Sequence, residues 1–218
     1  MMGNKAMFGT LKNERGTTLI EIIVVMLIST LLILVSAIAI SAFFRRYKVI
    51  NSFIDLQKGA LECISTIRDG YPMNRGEQFY GVANARSMQI TGTSDSWNAG
   101  SGIKIFPPIY ADFQNNDMVH FYLESGVIKV NYIYNGIQVN TPQHLFPTRD
   151  MQDVMQVTRF TVADANATGS ILPLSEVVDT ELRIIEINME ARVKVKDAPL
   201  PNQIEYKTIN YRTYMVRK

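Results

Sequence analysis

From Thr17 to Phe44 the chain has 28 residues and one ionisable side chain, Glu21. Wound as a helix at ~1.5 Å per residue, this run would extend roughly 42 Å, more than the ~30 Å hydrocarbon core of a bilayer. Its Leu, Ile and Val residues are spread around the helix rather than gathered into a stripe, which suits lipid or a bundle interior better than a half-solvated surface. A carboxylate in such a run is costly unless something satisfies it. The sequence offers two solutions. Thr18-Leu-Ile-Glu21 has the spacing of a capping box, in which the Thr hydroxyl and the Glu carboxylate each take an orphan amide at a helix start, where negative charge is favoured. Alternatively, cleavage between Gly16 and Thr17 would leave a cationic amine one helical turn from Glu21.

The second solution is carried by a pattern: a short leader with Lys5, Lys12 and Arg15 ending in Gly16, then a hydrophobic segment with Glu as its fifth residue. It resembles the class III signal of the type IV prepilin family. The resemblance implies cleavage after Gly16 by a prepilin peptidase, N-methylation of Thr17, and use of Glu21 in a salt bridge to an amino terminus during filament assembly. Thr17 departs from the Phe usual at the first mature position. The resemblance further implies that residues 1–16 are a discarded leader and that the amino terminus is cytoplasmic. The chain would then sit once through the inner (cytoplasmic) membrane, with its carboxyl-terminal domain periplasmic. Charge counting alone leaves orientation open, because Arg45, Arg46 and Lys48 follow the run as Lys5, Lys12 and Arg15 precede it. A rival reading takes Ala37-Ile-Ala39 as an ordinary signal-peptidase site, releasing a soluble product starting at Ile40; it leaves Gly16 to Glu21 unexplained.

Behind the membrane segment (17–44) the helical pattern continues over 45–70 as an amphipathic stretch. Ile50, Phe53, Gln57, Ala60, Ile64 and Ile67 fall on one face, widened by Leu61 and Ile54. Gly70-Tyr-Pro72 is the stop signal. Residues 71–218 read as strands and turns. Met118 to Glu124 and Val127 to Tyr134 alternate about Ser125-Gly126, and Asn135-Gly136 signals a type I′ hairpin into Ile137 to Asn140. Val154 to Val162 and Ile185 to Val195 alternate again, and Gln203 to Val216 forms a last strand; Thr91 to Gly102 and Ala163 to Ser175 read as loops. The predicted fold class is α+β, a long amino-terminal helix packed on an antiparallel β-sheet domain. Pilin-like proteins share this layout. Phe121 to Lys129, Val157 to Val162 and Tyr211 to Arg217 resemble the larger minor pseudopilins, the J class of type II secretion systems and the W class of pilus proteins.

Chemistry-bearing motifs are sparse. No nucleophile elbow, phosphate loop or zinc-binding cysteine pair occurs, so the reading is of a non-enzyme without cofactor. His120 and His144 are isolated, and Cys63 is the lone cysteine, read as a small helix residue. Asp112 and Asp117 with Asn115 and Asn116 offer oxygens for a cation but lack a calcium-loop spacing, and a solvated turn is preferred. Asn166-Ala-Thr168 is a formal glycosylation sequon. The leader takes three of the 22 basic and one of the 20 acidic side chains, so the mature chain is neutral and gives no basis for nucleic-acid binding. The partners implied by the resemblance are other pilin or pseudopilin subunits, the prepilin peptidase, inner-membrane assembly machinery and lipid. A membrane-anchored receptor or enzyme, using the helix only as a tether, is the alternative.

Overall fold

The computed structural model describes residues 18–71, 80–92, 99–108, 117–134, 136–138, 141–165, 184–196 and 204–218. Helix α1 spans Leu19–Asp69. The chain divides into two compact units, 1–48 and 49–218.

In the first unit every described side chain, from Thr18 to Lys48, is exposed. This stretch belongs to the one described helix long and apolar enough to cross a membrane. Exposed Leu, Ile, Val and Phe on all sides are what a lipid-facing surface requires and what water penalises.

In the second unit, α1 contributes Leu56, Ala60, Cys63 and Ile67 to a core that also holds Phe121, Ile128, Phe160, Ile187 and Met189. Phe53 and Ile64 pack beside them. The predicted stripe is therefore rotated. At ~100° per residue, Leu56-Ala60-Cys63-Ile67 is centred roughly 60° from the predicted face of Ile50, Phe53, Gln57, Ala60, Ile64 and Ile67, with Ala60 and Ile67 common to both. Leu61 and Ile54 lie well round from that centre and remain 53% and 51% exposed, as does Ile50 at 53%, so they do not widen the stripe. Gly59 lets the sheet approach closely: a methyl there would come within 2.7 Å of the Phe146 ring. The helix ends where predicted, at Gly70, whose φ of 115° favours glycine and whose amide donates to Thr66 O at 2.8 Å.

Two antiparallel sheets form the rest, where a single sheet is predicted. The first contains β1 (Ser87–Thr91), β3 (Gly102–Phe106), β4 (Met118–Glu124), β5 (Val127–Tyr134) and β6 (Ile137–Gln138) in that order, with β7 (Gln143–Phe146) also on β5. The second has the order β10-β9-β8-β2, from β10 (Glu205–Val216), β9 (Ile184–Lys196), β8 (Met155–Asp164) and β2 (Ala99–Gly100). The chain changes sheet at Gly100-Ser-Gly102. A Cβ at Gly100 would lie 2.2 Å from Thr91 O, and one at Gly102 2.8 Å from Phe121 O, so only glycine fits the crossing. β2 lies inside the stretch read as a loop from Thr91 to Gly102. Ser125 and Gly126, with φ of 53° and 78°, make the tight β4–β5 turn with both central residues left-handed. Gly136 (φ 73°) turns β5 into β6, while Asn135, Val139 and Asn140 lie outside the described residues.

Alternation sets the burial of each strand. In β9, Ile185, Ile187, Met189, Ala191 and Val193 are buried, and the polar residues between them are half-exposed. The architecture is the α+β arrangement predicted.

Candidate functional site

Glu21 stands at the beginning of α1. The amide of Thr18 donates to its carboxylate at 2.8 Å, and its own amide donates to Thr18 Oγ1 at 3.3 Å. This is the reciprocal capping box read from the spacing. The local reason is stereochemical: Thr18 precedes the helix, so its side chain and amide are free to meet residues one turn ahead. The carboxylate is thus satisfied within the chain while remaining exposed. Gly16 and Thr17, the residues on either side of the cleavage position, lie outside the described residues. So do the residues of the leader. Covalent connectivity nonetheless fixes one relation: the nitrogen of Thr17 is three bonds from the Thr18 amide that Glu21 accepts from. Cleavage would convert that neighbour into a cation without lengthening the chain between the two groups.

In the β domain, His120 is the most strongly organised titratable group. It lies on β4 opposite Lys104 and Asn131, stacks on Tyr122 with ring centroids 4.7 Å apart, and hydrogen-bonds Thr91 Oγ1 at 2.8 Å. Burial, assisted by the Lys104 charge, pushes its pKa down to about 4. A neutral imidazole fixed by a Thr and a Tyr is a packing element of the sheet. The pH consequence has a definite sign. Because the folded-state value is below the ordinary 6.5, the unfolded chain takes up the proton first, and stability present above pH 6.5 is lost as pH falls toward 4. The loss attributable to His120 is at most about 3 kcal/mol. A His120→Gln variant is expected to flatten the melting temperature between pH 6.5 and 4, measured by circular dichroism; an unchanged pH slope would contradict the assignment.

His144 lies on β7 and is bonded to Gln152; burial followed by the Lys129 and Arg149 charges lowers its pKa. Asp117 is fully buried, and its carboxylate accepts the Gly136 amide at 2.9 Å. It holds the β5–β6 turn, a role that nothing local in the sequence signals. Asp112, Asn115 and Asn116, its partners in the candidate cation site, lie outside the described residues, as does the Asn166-Ala-Thr168 sequon. Among the described residues no group of three or more His, Cys, Asp or Glu side chains converges. Cys63 is buried, and burial raises its thiol pKa far above the ordinary value, which suits the small helix residue predicted rather than a nucleophile.

Comparison of the chain with protein-family models, with curated proteins and with solved structures found no match.

Proposed function

We propose that this chain is a structural, prepilin-like subunit, processed at Gly16/Thr17 and assembled through its apolar helix into a pseudopilus or type IV pilus. The observation that carries the reading is Glu21 capped by Thr18 at the head of an apolar, fully exposed helix segment, four residues after the Gly16-Thr17 peptide. A carboxylate placed there lies one helical turn from the amine that cleavage after Gly16 would create. The division of α1 supports the same reading, since its amino-terminal part has only exposed side chains while its later part supplies core to the β domain. Such a helix can bundle in a filament through its first part while its later turns belong to the surface domain. In this reading the subunit is a minor one of the J or W class, non-enzymatic, resident in the inner membrane with the β domain outside the cytoplasm. Its partners are other prepilin-like subunits and the assembly machinery.

The test separates cap from charge. Gln at the fourth box position still reaches back to an amide, so Glu21→Gln keeps the cap and removes the charge, whereas Thr18→Ala weakens the cap by about 1 kcal/mol and keeps the charge. Removing one partner of a buried ion pair costs about 3 to 5 kcal/mol. Glu21→Gln is therefore expected to insert and be cleaved normally but to lose at least about tenfold in membrane crosslinking to its partner subunits. Thr18→Ala should crosslink nearly as wild type. The opposite ranking would reduce Glu21 to a helix cap.

A further inference from the structure

β10 is the edge strand of the second sheet, and the direction of its backbone groups follows from its neighbour. In β9 the amide of Lys194 donates to Val154 O at 2.8 Å and the carbonyl of Ile184 accepts from Ala165 at 3.0 Å. The even-numbered residues of β9 therefore face β8, and the odd-numbered ones, by the two-residue period of a strand, face β10. Their partners Lys207, Ile209, Tyr211, Thr213 and Met215 spend their backbone groups on β9. The alternates Tyr206, Thr208, Asn210, Arg212, Tyr214 and Val216 direct N–H and C=O outward, where no described strand pairs with them. All six also have exposed side chains.

Natural edges of this length are guarded by proline, by free charge or by bulges. Between Tyr206 and Val216 there is no proline, and the one irregularity lies at Glu205/Tyr206. Both cations are engaged. Lys207 Nζ lies 5.4 Å from the Phe53 ring centroid, and Arg212 bonds Glu186 at 2.6 and 3.0 Å. The exposed row is instead Tyr, Thr, Asn, Tyr and Val around that paired Arg, a composition that favours strand pairing.

We propose that β10 pairs antiparallel with β10 of a second copy of this chain, joining the two second sheets across a two-fold axis. Outward-facing residues must meet outward-facing residues, so only registers two residues apart are allowed. With the axis at Tyr211, Thr208 faces Tyr214, Tyr206 faces Val216, and Asn210 faces Arg212, with no like charges opposed. One step in one direction sets Arg212 against Arg212 and Lys207 against Arg217, and one step in the other engages Glu205 beyond the bulge. The first arrangement therefore gives the longest regular ladder. The argument is independent of the filament reading above.

Full-length chain in detergent micelles tests it. Thr208→Cys and Tyr214→Cys are prepared separately, differing by an affinity tag, then mixed and mildly oxidised; the native Cys63 is buried and stays out of the reaction. Opposed Cα atoms at ~5.5 Å lie within disulfide reach, whereas identical positions would be about 20 Å apart. The mixed disulfide should exceed either homodisulfide by about tenfold, since only it satisfies the geometry. Asn210→Pro in both chains removes an outward N–H and no bond to β9, and should abolish that dimer with the melting curve retained. A statistical mixture of the three dimers, monomers alone, or dimers indifferent to Asn210→Pro would overturn the proposal, monomers alone being the result expected if the edge serves a different protein.

Discussion

A fragment comprising residues 71–218 is expected to aggregate or unfold, whereas residues 45–218 should give a soluble domain with a cooperative melt. The difference lies in Leu56, Ala60, Cys63 and Ile67, all at most 1% exposed in the core. Burying a Leu or Ile is worth about 1.5 to 3 kcal/mol, so Leu56 and Ile67 together represent roughly 3 to 6 kcal/mol. Removing the helix also uncovers the sheet residues that pack on them, Phe146 opposite Gly59 included, which adds a loss of comparable kind. Typical domain stability is only about 5 to 15 kcal/mol, so little or nothing remains. Size-exclusion chromatography and thermal circular dichroism measure the outcome. A monomeric, cooperatively melting 71–218 fragment would make the helix a tether only and would favour the membrane-anchored receptor or enzyme.

The second large effect is all-or-none. Gly16→Leu should leave the precursor uncleaved in a host that has its prepilin peptidase, since the site resembles one that accepts only a residue without a side chain at that position. A Leu in its place is a steric block to peptide binding and leaves the fold of the β domain untouched, because it is remote in sequence from every described core residue. The uncleaved chain would lack the new amine at Thr17, so Glu21 would keep only its cap to Thr18. Filament incorporation should then fall together with processing, while the 45–218 region melts as in wild type. Processing of Gly16→Leu at the wild-type rate would remove the basis for the prepilin-like reading.

Features set by local spacing are legible in the sequence. Thr18 and Glu21 are three residues apart, and the box they predict is formed. The alternating runs around Ser125-Gly126 and over Ile185 to Val195 became β4, β5 and β9, because a period of two with a tight turn leaves few alternatives. Features set by distant partners are not. β1, β3 and β7 have five, five and four residues, too short for alternation to stand out from loop composition. The separation into two sheets depends on β2 meeting β8 across a long stretch of chain. The bond between Thr91 and His120, and that between Asp117 and Gly136, likewise join residues with no common local motif. The error in the helix stripe has a different origin. Ile50, Ile54 and Leu61 outweigh Cys63 in apolarity, so a face drawn by hydrophobicity turns toward them, whereas the core takes Leu56 and Cys63 beside the Ala60 and Ile67 of the predicted face.

The intact mass of the chain isolated from membranes of a host with its prepilin peptidase is the most direct measurement. A prepilin-like subunit begins at Thr17, with the mass of residues 17–218, carrying an added methyl where methylation is complete. A mass beginning at Met1 would identify a plain anchor, and one beginning at Ile40 a secreted product of ordinary signal peptidase; either would contradict the assignment of Gly16, Thr17 and Glu21 to filament assembly.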